Sequence, residues 1–201
     1  MLFTSEHGLI KIWDWVGKKC INEIKTQSFF TYDFELLKFR ELGICFAQGS
    51  KNNICISDFT SPAGMLIIKE INPEEQNKDI CILRKLPSKL CDLLVVGFVS
   101  PVLKIYNHQG VCVCKIHRQD PELAFCLDIV RVKKRNSYET ASDVLIIGSD
   151  AGVVTAFDST NGKTVWVNDK SHKSWIRGLA SMIVKDSYSF KSIVLTNSEN
   201  D

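Results

Sequence analysis

Apolar and polar positions alternate along most of this chain, and the alternating runs are short. Runs such as Ile44–Ala47, Leu93–Gly97 and Val144–Gly148 are five residues or so, the length of a buried strand, and almost no segment has a helical period. Each run leads into a tight polar turn and a second alternating run that ends in an aromatic or small residue followed by Asp or Asn. The terminal pairs are Trp13-Asp14, Ser57-Asp58, Tyr106-Asn107 and Phe157-Asp158. Segments starting at Ser5, Gly49, Phe98, Ser149 and Ser198 align without gaps on this pattern. The starts are 44, 49, 51 and 49 residues apart, close to the roughly 40–50 residues of a four-stranded repeat unit.

Each unit therefore reads as a hairpin, followed by a third strand at Lys19–Ile24, Met65–Ile71, Gly110–Ile116 or Lys163–Val167. A fourth strand leads onward over Phe30–Phe39, Asp79–Leu86, Ala124–Val132 or Trp175–Val184. Strands repeating at this period predict an all-β protein built of β-propeller blades, with about four blades of four antiparallel strands plus an incomplete one. The units fall at about 1–28, 29–72, 79–118, 123–170 and 174–201 of a single domain spanning residues 1–201.

The run Ser5-Glu6-His7-Gly8-Leu9-Ile10-Lys11-Ile12-Trp13-Asp14 resembles the end of a WD repeat. In that family a serine, a turn acid and a tryptophan form a hydrogen-bonded set with a histidine from the preceding loop. The resemblance assigns these structural roles to Ser5, Trp13 and Asp14 in the first unit, with His7 in place of the turn acid. His172 stands four residues before Ile176, the family's histidine spacing, and Ser198 and Asn200 match the serine and turn acid of the last unit. The middle units lack the tryptophan and the histidine, so packing must hold them. The stretch Ala156-Phe157-Asp158-Ser159-Thr160-Asn161-Gly162-Lys163-Thr164-Val165-Trp166 resembles the tryptophan-docking repeat of quinoprotein-like propellers, in a single copy that involves Phe157 and Asp158.

The strand count begins at the second strand of a blade and stops in a turn. Three arrangements satisfy it: a piece of a longer propeller, a small ring closed by Trp175–Val184 lying beside Met1–Ser5, or a ring completed by a partner chain. The open form is expected, with Leu2, Phe3, Ile193 and Leu195 on an edge that invites another chain.

Composition narrows the function. The chain has 201 residues, 45% hydrophobic and 24% charged, the make-up of a folded globular protein. A net charge of +2 does not by itself draw the chain to nucleic acid or membrane. No apolar run approaches the length that spans a bilayer, and the N-terminus reads as no signal peptide. The eight cysteines sit mostly in apolar strands, which predicts free, largely buried thiols and an intracellular setting, cytoplasmic or nuclear.

No catalytic motif is present and no cofactor is implied, so the chain reads as a non-enzyme. The nearest metal pattern is His108-x3-Cys112-x-Cys114-x2-His117, which a half-buried strand explains better, and no metal site is assigned. Arg131-x-Lys133-Lys134-Arg135 is the one dense basic cluster, read chiefly as a solvated loop. Trp175 and Arg177 flank the β-branched position that, in WD-repeat proteins, opens onto the face where partners dock, and Glu199 shares that face. Tryptophan and arginine are also enriched at interface hot spots. The reading is an interaction scaffold whose partners are other proteins and whose ring needs a partner or further sequence to close. The alternatives are a nucleic-acid-associated propeller subunit, in RNA processing for instance, and a quinoprotein-like propeller.

Overall fold

The computed structural model describes residues 2–6, 9–25, 33–39, 43–50, 53–58, 66–71, 79–88, 91–118, 123–132, 142–169, 171–185 and 190–199. All regular structure in them is β. The first sheet holds β1 (Leu2–Glu6), β2 (Leu9–Asp14) and β3 (Lys19–Lys25) in that order. The second holds β4 (Asp33–Phe39), β5 (Gly43–Ser50), β6 (Asn53–Asp58) and β7 (Leu66–Ile71). The third holds β8 (Ile80–Leu86), β9 (Leu93–Phe98), β10 (Val102–Tyr106) and β11 (Cys112–His117). The fourth holds β12 (Ala124–Val132), β13 (Ser142–Ser149), β14 (Val154–Asp158) and β15 (Thr164–Asn168), and the fifth β16 (Ile176–Lys185) and β17 (Phe190–Ser198). Every pairing is antiparallel, and in each sheet neighbours in sequence are neighbours in space.

The sheets stack face to face, and one apolar cluster fills each gap between consecutive sheets. Ile10, Ile12 and Phe3 meet Phe34 and Leu36 in the first gap. Leu37, Cys45, Ala47 and Ile56 meet Leu83, Leu94, Val96 and Phe98 in the second. Leu86, Val95 and Ile105 meet Leu127, Leu145 and Ile147 in the third, and Val130, Val144 and Ile146 meet Ile176, Leu179 and Val194 in the fourth. An interior sheet is thus covered on both faces, which is why Leu93–Val96 is apolar without interruption. The outermost strands face water: Val113, Val165, Trp166 and Val167 are all exposed.

Backbone irregularities repeat from sheet to sheet. A register shift falls immediately before Trp13, Ser57, Tyr106 and Phe157, so these four occupy one structural position. The Asp or Asn that follows caps the next turn: Asp14 Oδ1 accepts from Val16 N (3.0 Å), Asn107 Oδ1 from Gln109 N (3.0 Å) and Asp158 Oδ1 from Thr160 N (2.8 Å). Carboxylate and amide oxygens suit this role because they bond the backbone two residues on. Gly110 and Gly162 then take the left-handed conformation that lets the chain return, and in the first sheet Lys18 takes it at φ 51°.

One part of the ungapped alignment needs correction. Ser5 pairs with Ile10 and Gly49 with Ile54, but Gly97 pairs with Leu103 and Gly148 with Val154. The hairpin turn is one residue longer in the third and fourth sheets. The structural equivalents of Ser5 are therefore Gly49, Gly97, Gly148 and Asn197, not Phe98, Ser149 and Ser198. Ring closure through β16 beside β1 is also not what forms: among the described residues β16 pairs with β17 and β1 with β2, and neither pairs with the other. Of the edge residues expected to be open, Phe3 packs into the first cluster, whereas Leu2, Ile193 and Leu195 are exposed.

Candidate interaction site

The innermost strands of the last three sheets start alike, with a bulge at Cys81, Phe125 and Arg177. A bulge re-aims the residue it carries. In β16 it follows Ile176, which is fully buried against the fourth sheet. Trp175 and Arg177 flank this anchor. The Arg177 guanidinium carbon lies 4.5 Å from the centroid of the Trp175 ring. Arg177 Nη2 donates to Glu199 Oε2 at 3.1 Å, and Glu199 N donates to Trp175 O at 3.2 Å. The three residues picked out by sequence thus form one exposed cluster, with Trp175 at 41% exposure.

The loop leading to this cluster is fixed from below. His172 N donates to Gly152 O at 3.2 Å, and His172 O approaches so close to Gly152 that no Cβ would fit there. The His172 imidazole meets Thr196 Oγ1 at 2.7 Å. Ser198 lies two residues further on, and its hydroxyl is buried with no hydrogen-bond partner among the described residues. In the first sheet Trp13 Nε1 donates to Thr4 Oγ1 at 2.9 Å. Thr4 and Thr196 are equivalent by register, each directly preceding the Ser5 and Asn197 position. The hydroxyl role that the resemblance gave to Ser5 and Ser198 is filled at both ends by threonine. The reason is register: the pair Leu2↔Trp13 puts Thr4 on the Trp13 face. His7, Asn200 and the Ser5 side chain lie outside the described residues. Phe157 is a core residue of the third gap, and Asp158 caps its turn.

The other candidate chemistry resolves into structure. Cys112 is exposed and its thiol donates to Cys114 O at 3.4 Å, while no three of His, Cys, Asp or Glu gather as metal ligands among the described residues. Arg131 is clamped by Asp143 at 2.9 and 3.3 Å and also donates to Pro87 O at 3.3 Å, and Lys133, Lys134 and Arg135 lie outside the described residues. All eight cysteines are free; three are buried, four half-buried and one exposed. Burial pushes the Cys81 thiol up to about 12 and the Cys126 thiol up to about 11. Each donates to the carbonyl of the next inner strand: Cys81 to Ala124 O and Cys126 to Ile176 O, both at 3.4 Å.

Sequence reasoning missed the charged side chains of the inner strands. Glu35 accepts from Lys85 N at 3.1 Å, Arg84 donates to Leu127 O at 3.2 Å, and Asp128 accepts from Ser181 N and Oγ at 2.5 and 2.6 Å. Asp33 accepts from Leu83 N at 2.9 Å and from Arg84 at 2.7 Å. Each bond ties one sheet to the inner edge of the next, and those to Leu83 N, Lys85 N, Leu127 O and Ser181 N satisfy backbone groups there. Glu35, Arg84, Lys85, Asp128, Arg131 and Asp143 also line a cavity of about 290 Å³. Their isolated positions in apolar runs were the available signal.

The fold is similar to the crystal structure of BBS1N, a β-propeller, in complex with ARL6DN and soaked with lead. The TM-score is 0.64 at 14% identity, over 97% of this chain and 70% of that one. This chain has a β-propeller fold. No family model and no curated protein matches its sequence. No helix among the described residues is long and apolar enough to cross a membrane.

Proposed function

We propose that this chain is a non-catalytic, divergent WD-repeat-type propeller that binds other proteins through the Trp175–Arg177–Glu199 cluster. One observation carries the reading. An exposed tryptophan and arginine are stacked on each other and held by a carboxylate, beside a fully buried isoleucine. Such a cluster presents a large, partly ordered contact surface, so a partner loses little side-chain freedom on docking. Tryptophan and arginine are the side chains that most often dominate binding energy. The solved propeller with which this chain shares its fold was crystallised with another protein, which supports the same kind of use. Binding of this kind and eight free cysteines fit an intracellular protein, cytoplasmic or nuclear.

The test is a differential capture from native extract using wild type, Trp175→Ala and Arg177→Ala. A hot-spot truncation costs about 2 kcal/mol, roughly thirtyfold in affinity. Specific partners should be enriched on wild type and lost from both variants. Partners retained equally by all three would place the binding surface elsewhere.

A further inference from the structure

One repeated position of the inner strands carries an acid, a base and an acid in turn. Glu35, Arg84 and Asp128 pair with Ala47, Val95 and Ile146, each two residues before the equivalent glycines Gly49, Gly97 and Gly148. The two acids do the same job: each carboxylate bridges the backbone N–H of its own following residue and one on the next inner strand. Glu35 accepts from Leu36 N at 2.9 Å and Lys85 N at 3.1 Å. Asp128 accepts from Ile129 N at 2.8 Å and Ser181 N at 2.5 Å. The two groups that a carboxylate at position 84 would bridge, Lys85 N and Ile129 N, are thereby already bonded. The bridging needs no acid at position 84, and the chain places a guanidinium there.

This reversal of charge falls on a cavity. Arg84, Lys85 and Arg131 line the space of about 290 Å³ together with Glu35, Asp128 and Asp143. The lining comes from the second, third and fourth sheets, each of which has all four strands, so neither end of the array forms it. Three cations and three carboxylates cancel in formal charge, so the hydrogen bonds decide what the cavity can take. Both oxygens of every lining carboxylate are engaged: those of Glu35 and Asp128 on backbone N–H groups, those of Asp143 on Arg131 Nε and Nη2 at 2.9 and 3.3 Å. The cations are not spent. Arg84 uses Nε on Leu127 O at 3.2 Å and Nη1 on Asp33 and Leu83 O at 2.7 and 2.6 Å, which leaves Nη2 with no bond among the described residues. Arg131 Nη1 and Lys85 Nζ are in the same condition.

We propose that this cavity binds a small oxyanion, a phosphate or carboxylate group, held by Arg84, Lys85 and Arg131. Guanidinium N–H groups match the geometry of such oxygens, and the lysine adds a compact positive charge beside them. At about 290 Å³ the space lies at the small end of ligand pockets, so it suits one such group and little more. The site shares no residue with the Trp175–Arg177–Glu199 cluster, and it stands whether or not a protein docks there.

Titration of the intact, isotope-labelled chain with inorganic phosphate, and separately with acetate, at constant ionic strength and followed by NMR, tests this. At least one anion should saturate with a Kd of about 1 mM or below. The anion with the lower Kd shows whether the natural ligand offers a phosphate or a carboxylate. In wild type the amides that move should cluster on β8 and β12 around Lys85 and Ile129. Lys85→Met should weaken binding by about tenfold or more, the loss of one charge-assisted hydrogen bond. Lys11→Met removes the same charge from the first sheet and should leave binding unchanged. Circular dichroism confirms that both variants fold. The proposal fails if neither anion saturates, if the shifted amides lie away from the cavity, if Lys85→Met binds as tightly as wild type, or if Lys11→Met weakens binding equally.

Discussion

Replacing Gly148 by alanine tests the stacking of the fourth and fifth sheets at one point. A Cβ there would lie 2.7 Å from Cys126 Sγ, 2.7 Å from Ile176 Cγ2 and 2.9 Å from Ile176 Cβ. Carbon atoms prefer about 3.5–4.0 Å, so the two sheets must part or Ile176 must shift. Rotation of the Ile176 side chain gives no relief, because its Cβ is fixed to the backbone of β16. Overpacking of this kind costs about 1–3 kcal/mol. For a chain of this size that corresponds to a fall of roughly 4–8 °C in Tm at a cost of about 2 kcal/mol. Gly97→Ala is the control. Its Cβ would meet Ile82 Cβ at 3.2 Å and Leu103 Cδ2 at 3.3 Å, both within its own sheet. The loss of chain entropy in the unfolded state offsets about 0.4–1 kcal/mol of any cost there. Thermal unfolding by circular dichroism should therefore place Gly97→Ala near wild type and Gly148→Ala well below it. Equal stability of the two variants would mean that the Gly148 contact with Ile176 is not as close as described.

Three further outcomes follow from the same geometry. Asp128→Ala removes the acceptor for Ser181 N and should cost about 2 kcal/mol in urea denaturation, with Asp128→Asn costing less because it keeps an acceptor. Lys18→Gly should stabilise by about 0.5–1 kcal/mol, since Lys18 holds at φ 51° a conformation that glycine adopts without strain; a lower urea midpoint would contradict this. Native thiol titration should modify exposed Cys112 first and leave Cys81 and Cys126 unreacted until unfolding. The folded state keeps the Cys81 proton to about pH 12, whereas an unfolded thiol loses it near 9.0. That contribution is complete below pH 9 and is lost as pH rises towards 12, so urea midpoints should fall across that window.

The strands and their grouping were legible because apolar alternation and turn chemistry survive in each unit. Trp13, Ser57, Tyr106 and Phe157 could be aligned without structure because each is followed by Asp or Asn, and three of those four acids and amides are seen capping a turn. The hydroxyl partners were not legible. Which residue meets Trp13 depends on whether a turn has an even or odd residue count, and one residue of slip exchanges the two faces of a strand. The inner-strand bonds of Asp33, Glu35, Arg84 and Asp128 span more than forty residues each, so the isolated charges flag these positions but no local pattern names their partners. The candidate cluster was found because Trp175 and Arg177 flank Ile176, a short-range relation. Glu199 joins them only through the β16–β17 register, and the sequence placed it on that face through the WD-repeat resemblance alone.

That register also explains why the candidate site can be precise on a sheet packed on one face only. Trp175 immediately precedes β16 and Arg177 stands on it, and the outer face of that strand carries Met182, which is exposed. Local stability follows local packing, so this sheet has less to hold it than β8–β11, which is sealed on both sides. Its position is instead fixed at points: Ile176 in the fourth gap, the Cys126 thiol on Ile176 O, Asp128 on Ser181, and His172 on Gly152 and Thr196. Three of these bonds, at Ile176 O and at the His172 backbone and imidazole, fall within three residues of Trp175. The candidate cluster is thereby held at several points, while Met182, Ile193 and Leu195 further along the same hairpin are exposed.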